Sequence, residues 1–343
     1  MNITGYNIAI LGLGSWGITL ANLLVENGYF VNVWENDKSR AEKLMKTKKF
    51  DLLDWINISE KIEISNDMLK IIKNANIIIF AVPSNVIRKV AEILYSISLK
   101  NNLSFKNTIF VNVSKGIEEK TYFSMTDIIA DVLKLDTSQI FALSGPTHAE
   151  ELSKKIITTC TIAGENIETL KLLQNIFSNN YFRVYTTLDL VGVELGGAAK
   201  NIIAIAAGII DGLNLGDNTK AALITRGLVE ISRLGIARGA KKETFYGLSG
   251  LGDLIVTCSS KHSRNRYFGE KLGKGENPDE ILKNMSMVVE GVLNAKSIYN
   301  LSKNHNLDMP IINEIYHIIY ENKSPKKSIQ DLMNRDLKEE ILN

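Results

Sequence analysis

In the first half of the chain, apolar residues gather into short runs separated by stretches with helical spacing. "NIAILG" (7–12) is apolar, β-branched and closed by a glycine, the pattern of a buried strand. Between Trp16 and Asn27, residues Ile18, Leu20, Ala21, Leu23, Leu24 and Val25 suit one packed helix, which Gly28 stops. Further strands are predicted at "YFVNVWE" (29–35), "NIIIFAVP" (76–83), "TIFVNVS" (108–114) and "QIFALSG" (139–145). Strands alternating with helices at this interval imply βαβ units, hence an α/β domain with a doubly wound, mainly parallel sheet. From "VGVELGGAAKNIIAIAAGIIDGL" (191–213) onward, small residues and helical periods replace the β-runs. The expected division is an α/β domain over 1–190 and an all-α domain over 191–343.

Composition narrows the classes without changing that picture. The 343 residues allow two domains, and 45% hydrophobic with 23% charged residues is the balance of a folded globular protein. A net charge of +2 points to neither nucleic acid nor a membrane surface as a partner. Cys160 and Cys258 are far apart and lack metal-ligand spacing, which argues against a disulfide framework and for a reducing cytoplasm. No basic region precedes the first apolar run, so a signal peptide is not expected. The longest apolar stretch, "IIAIAAGII" (202–210), is too short to span a bilayer, so no transmembrane segment is expected either.

The first candidate chemistry lies between the first strand and its helix, where Gly12, Gly14 and Gly17 form G-x-G-x-x-G. In that setting Gly12 permits a tight turn, Gly14 lets a pyrophosphate approach the backbone, and Gly17 lets helix and strand pack closely. Amides around Ser15 and Trp16, at the helix N-terminus, then face the phosphates, and the domain reads as a dinucleotide-binding Rossmann domain. Glu35 ends the second strand, where a carboxylate takes the ribose hydroxyls and repels a 2′-phosphate. No arginine adjoins it, although Lys38 and Arg40 follow closely, so NAD(H) is favoured and NADP(H) stays open.

Other polar residues fall at strand ends or in helices. Lys115 follows the 108–114 strand, and "SGPTHAEE" (144–151) offers Gly145 and Thr147 as donors after the next one. Lys200 lies inside the apolar, small-residue helix "GGAAKNIIAIAAG", where it must snorkel, pair or face a site, and Asn201 beside it suggests a cleft. "SGLGD" reads as a tight glycine loop carrying Asp253; "SRNR" sets Arg264 and Arg266 around Asn265, with Ser263 as a hydroxyl donor. Arginine's fork suits a phosphate, so a phosphorylated small molecule is the natural substrate. His148, His262, His305 and His317 are scattered in sequence, and no catalytic histidine is assigned. Metal motifs and a nucleophile elbow are absent from the sequence, so no metal is expected.

Taken together and in order, "GLGSWGITLA", "VPS", "VSKGIE", "SGPTHAEE", "ELGGAAKNIIAIAAG", "GLSGLGDLIVTC", "SRNRYFG" and "VVEGV" resemble the bacterial NAD(P)-dependent glycerol-3-phosphate dehydrogenases over nearly the whole chain. The resemblance implies a Rossmann domain, a helical domain, and reversible reduction of dihydroxyacetone phosphate to sn-glycerol 3-phosphate for phospholipid synthesis. It implies Lys200 as the proton-transfer residue, with Lys115 assisting. Substrate contacts would be Lys115, Gly145, Thr147, Lys200, Asp253, Ser263, Arg264 and Asn265. The cofactor would meet Ser15, Trp16, Lys115, Ala149, Arg264, Val288 and Glu290. A homodimer is a family-level expectation. Three departures stand out: Thr147 replaces the usual serine, Ala199 a larger aliphatic residue, and many bacterial members lack an acid at Glu35 and accept NADPH. Alternatives are a ketopantoate-type or β-hydroxyacid dehydrogenase, whose substrate carboxylate the arginine loop could bind, and a non-catalytic NAD-sensing regulator.

Overall fold

The computed structural model describes residues 5–285, 287–337 and 339–340. The first half runs β1 (Asn7–Leu11), α1 (Ser15–Glu26), β2 (Phe30–Trp34), α2 (Lys38–Thr47), β3 (Glu63–Ser65), α3 (Met68–Ile72), β4 (Ile77–Phe80) and α4 (Ile87–Lys100). It continues through β5 (Ile109–Asn112), α5 (Met125–Leu133), β6 (Ile140–Ser144), α6 (Ala149–Leu152), β7 (Thr158–Ala163), α7 (Ile167–Phe177) and β8 (Phe182–Thr187). All eight strands join one sheet in the order β3-β2-β1-β4-β5-β6-β7-β8, parallel throughout except for the β6–β7 pair.

Strand alternation explains why both faces carry helices. Ile8 and Ile10 point to one face, packing with Leu20, Leu24 and Leu173, while Ala9 and Leu11 point to the other with Leu94, Ile128 and Ile129. A sheet covered on both faces needs strands that are apolar throughout, which is how the first five predicted runs read. β3, β7 and β8 lay outside those runs. β3 spans three residues, and the threonines of "TTCTIA" and "FRVYTT" break an apolar pattern.

The second half consists of α8 (Leu190–Gly212), α9 (Gly216–Ala237), α10 (Asp253–Ser259), α11 (Arg264–Gly273), α12 (Pro278–Asn284), α13 (Glu290–Asn304), α14 (Pro310–Tyr320) and α15 (Pro325–Met333). Helix α8 is its axis. It extends well beyond the apolar stretch read from the sequence, and its 23 residues are long and apolar enough to cross a membrane. That apolar stretch is wholly buried in this fold, so α8 is the core helix of the domain. Small residues let α11 lie on it: a Cβ at Gly208 would meet Arg266 O at 1.9 Å, and one at Gly269 would meet Ile205 O at 1.9 Å. Toward its other end α8 is tied to the sheet. Buried Glu194 accepts from the Thr126 amide (3.0 Å) and from Asn112 Nδ2 (3.3 Å), and Asp189 caps the helix through the Gly192 amide (2.9 Å).

Candidate active site

The sheet order reverses between β1 and β4, and open α/β sheets bind ligands outside the strand ends at such a point. A cavity of about 480 Å³ opens there, walled by the loops after β1, β4, β5 and β6 and by α8, α10, α11 and the start of α13.

The glycine loop forms one wall, and its three glycines do different things. Gly12 has φ +115°, and a Cβ there would strike Ala81 O at 2.6 Å; a Cβ at Gly17 would strike Gly12 O at 2.2 Å. Both serve packing. A Cβ at Gly14 would meet nothing within 4 Å among the described residues, which leave that side open. Gly14 is also the N-cap of α1 and supplies no side-chain cap, while Ser15 Oγ is buried without a hydrogen-bond partner among the described residues. Uncapped amides, an unpaired hydroxyl and open space fit a pyrophosphate.

Opposite lies a cluster of two lysines on one carboxylate. Asp253 and Thr257 are four residues apart on α10 and therefore share a face. Asp253 is 1% exposed, and its carboxylate takes Lys200 Nζ on one oxygen and Lys115 Nζ (2.6 Å) on the other. Lys200 Nζ also reaches Thr257 Oγ1 (2.6 Å), and Lys115 Nζ reaches Gly145 O (3.2 Å). Lys200 has not snorkelled, for it is 5% exposed at mid-helix. Burial pulls its ammonium down to about 8; Asp253 opposes that pull and Lys115 adds to it.

The third wall is the start of α11. Arg264 and Asn265 are its first residues, preceded by Ser263, whose hydroxyl caps the helix through the Arg266 amide (3.2 Å). Asn265 Nδ2 donates to Asn201 Oδ1 (2.9 Å) and its Oδ1 accepts from the Gly291 amide (2.9 Å), which ties α8, α11 and α13 together. Arg264 Nη1 reaches Val288 O (3.1 Å). Glu290 lines the same wall and accepts from the Ser84 amide (3.1 Å) and hydroxyl, linking the two halves; burial raises its carboxyl.

Of the residues singled out in the sequence, Gly14, Ser15, Trp16, Lys115, Thr147, Ala149, Lys200, Asn201, Ser263, Arg264, Asn265, Val288 and Glu290 line this one cavity. Gly12 and Gly17 shape the loop behind it, and Gly145 and Asp253 stand behind the lysines without lining it. Other expectations require correction. Arg266, expected with Arg264 as a phosphate fork, turns the other way to Asp211 (2.6 Å), because residues two apart on a helix do not share a face. "SGLG" is a π-helical turn (Leu248–Gly252) running into α10, not a loop. Glu35 does not itself line this cavity; beside the glycine loop it is paired with Arg40, which the first turn of α2 carries back against it.

The histidines also need revision. His148 and His262, 114 positions apart, both line the cavity with ring centroids 6.0 Å apart. His148 Nε2 is buried and has no partner among the described residues, and burial followed by Lys200 lowers the imidazole to about 4. Thr257 was missed as well, although its spacing from Asp253 was the available signal.

A Rossmann glycine loop facing a buried, carboxylate-held lysine from a helical domain defines a class: the two-domain, nicotinamide-dependent oxidoreductases. Descriptions of the N-terminus and the C-terminus of NAD-dependent glycerol-3-phosphate dehydrogenase match residues 7–170 and 189–330. The chain belongs to the NAD-dependent glycerol-3-phosphate dehydrogenase family. It is 50% identical over 339 residues to the glycerol-3-phosphate dehydrogenase (NAD(P)+) of Fusobacterium nucleatum, covering 97% of this chain and 98% of that one. The enzyme of the same name from Thermoanaerobacter sp. is 45% identical over 334 residues, covering 97% and 98%. A crystal structure of glycerol-3-phosphate dehydrogenase from Coxiella burnetii superposes with a TM-score of 0.91 at 33% identity, covering 97% of this chain and all of that one.

Proposed function

We propose that this protein reduces dihydroxyacetone phosphate to sn-glycerol 3-phosphate, reversibly, in the cytoplasm and in the service of glycerophospholipid synthesis. The observation that carries the reading is Lys200, buried mid-helix on the cavity wall and held by Asp253 and Thr257. A nicotinamide dinucleotide held along the Gly14–Trp16 wall would supply the hydride for the carbonyl carbon. As negative charge builds on the carbonyl oxygen, the Lys200 ammonium stabilises it and gives it a proton. With its ammonium lowered to about 8, Lys200 is still mostly charged at pH 7 yet releases its proton more readily than an exposed lysine. In the oxidative direction the neutral amine takes the hydroxyl proton.

The other residues bind and orient. Asp253 fixes both lysines, and Lys115 polarises the substrate oxygen alongside Lys200. The Arg264 fork and the free amides at the start of α11 hold the phosphate, with Thr147 and Asn265 completing the pocket. His148, neutral at pH 7, presents Nε2 to a substrate oxygen as a hydrogen-bonding group. Gly14, Ser15 and Trp16 receive the pyrophosphate, and Ala149, Val288 and Glu290 border the remaining cofactor space. Glu35, at the end of β2, favours NAD(H) over NADP(H). Two separate, free and buried thiols, Cys160 and Cys258, suit a reducing compartment.

The test is steady-state oxidation of NADH and NADPH, side by side, with dihydroxyacetone phosphate or ketopantoate as oxidant. Turnover with dihydroxyacetone phosphate and loss of turnover in Lys200→Ala, with NADH binding retained, is the expected result. Preference for ketopantoate, or near-normal activity in Lys200→Ala, would refute it.

A further inference from the structure

Glu35, expected at the ribose with Lys38 and Arg40 close by, is one member of a three-residue charge cluster at the glycine loop. Arg40 Nη1 meets Glu35 and donates to Leu13 O (3.0 Å), a carbonyl of the loop itself. Its Nε and Nη2 donate to the two oxygens of Asp51, at 3.0 and 2.8 Å, a bidentate pair. Asp37 contributes its amide to the second Glu35 oxygen (3.0 Å) and caps α2 through the Arg40 amide (2.7 Å). The ring of Phe50 lies 5.7 Å beneath the guanidinium. Arg40 thus sits where a Rossmann domain that binds NADP places an arginine for the 2′-phosphate. Here four of its five N–H groups are committed to two carboxylates and a carbonyl.

We propose that Asp51 is a specificity-determining positioning residue. By pinning Arg40 it withholds the guanidinium from an adenosine 2′-phosphate and keeps the site for a dinucleotide with a free 2′-hydroxyl. The inference rests on the dinucleotide reading of the cavity. Electrostatics act in the same direction as geometry: two carboxylates on one guanidinium leave the cluster with net negative charge, which repels a dianionic phosphate. The hydrogen bond that Arg40 donates to Asp51 is the main influence raising the Arg40 guanidinium, and it in turn lowers the Asp51 carboxyl. Both side chains are about a quarter exposed (24% and 27%), so the pair is partly screened and its removal reads as a moderate change.

The probes are adenosine 2′,5′-bisphosphate and adenosine 5′-monophosphate, titrated calorimetrically at fixed ionic strength into the full chain. Asp51→Asn keeps the shape of the side chain and removes its charge. The expected result is about tenfold tighter binding of the bisphosphate, with the monophosphate held within about twofold, and a matching shift in the NADPH-to-NADH KM ratio. Adding Arg40→Met to Asp51→Asn should erase the gain, because the phosphate is taken by Arg40. An unchanged ratio, equal weakening of both probes, or a gain that survives Arg40→Met would overturn the proposal. So would a full gain in Glu35→Gln with none in Asp51→Asn. Failure of the parent protein to bind either probe would overturn it together with the dinucleotide reading. A shifted probe ratio without turnover of dihydroxyacetone phosphate would remove only the substrate assignment.

Discussion

Asp253→Asn tests the lysine cluster most directly, because one substitution leaves a buried ammonium group, Lys200, and a partly buried one, Lys115, without their shared anion. Asp253 is 1% exposed and bonded to both lysines, so little solvent screens the change. A unit charge pair at about 4 Å in an effective dielectric near 20 is worth about 4 kcal/mol, nearly three powers of ten in proton affinity. Part of that will be recovered by relaxation, yet the direction is fixed. Lys200, already lowered to about 8, must fall well below neutrality. In the parent enzyme, reduction of dihydroxyacetone phosphate should hold up to about pH 8 and decline above it as the ammonium is lost. In Asp253→Asn the decline should move to the acid side of pH 7, and the rate at pH 7 should fall by about 10²-fold or more. Oxidation of glycerol 3-phosphate needs the neutral amine and should suffer less. The assay is a pair of pH–rate profiles, one per direction, with thermal melts to confirm folding. If the reductive profile of Asp253→Asn turns at the same pH as that of the parent, the carboxylate does not govern Lys200.

Other consequences can be measured separately. Gly14→Ala should fold with unchanged stability and lose NADH affinity. Gly17→Ala should lose stability itself, since its Cβ would strike Gly12 O at 2.2 Å; equal melting of the two variants would contradict this division of labour. His148→Ala should raise KM for dihydroxyacetone phosphate and lower kcat without moving the pH profile, because an imidazole at about 4 does not titrate in the working range. A new inflection near neutrality would refute that. Glu230 accepts the Ile311 and Ile312 amides (2.8 and 3.1 Å) at the start of α14, and burial raises it to about 7 from an ordinary 4.5. The folded state therefore binds the extra proton between these values. That contribution is full below about pH 4.5 and is lost as pH rises through 7. Glu230→Gln should therefore flatten the dependence of urea stability on pH across this window, and an unaltered slope would refute the assignment.

The elements buried on two sides were the legible part of this fold. β1, β2, β4, β5 and β6 declared themselves because a doubly covered strand must be apolar throughout, whereas the threonine-rich β7 and β8 carried no such mark. The cavity was legible where chemistry and local structure coincide, as at the glycine loop, Lys115 and Lys200. What escaped was pairing across the chain. Nothing in the sequence brings His148 to His262, or turns Arg266 away from Arg264 toward Asp211. Arg40 stands five positions from Glu35, and only the turn from β2 into α2 makes them partners. Sequence carries residue type and local period; charge partners depend on tertiary folding.

The glycine contacts between α8 and α11 reach beyond packing. Gly208 and Gly212 on one helix meet backbone on the other, as do Gly269 and Gly273 in return, so the two main chains touch with no side chains between them. Soft side chains can yield by half an ångström; backbone against backbone cannot. Lys200 stands on the first of these rods, and Arg264 with Asn265 heads the second. In the proposed reaction the proton donor and the phosphate anchor are therefore two marks on a rigid gauge. A ketose phosphate with one more carbon between carbonyl and phosphate would be turned away by a wrong interval rather than by a wall, and enlarging the pocket would not admit it.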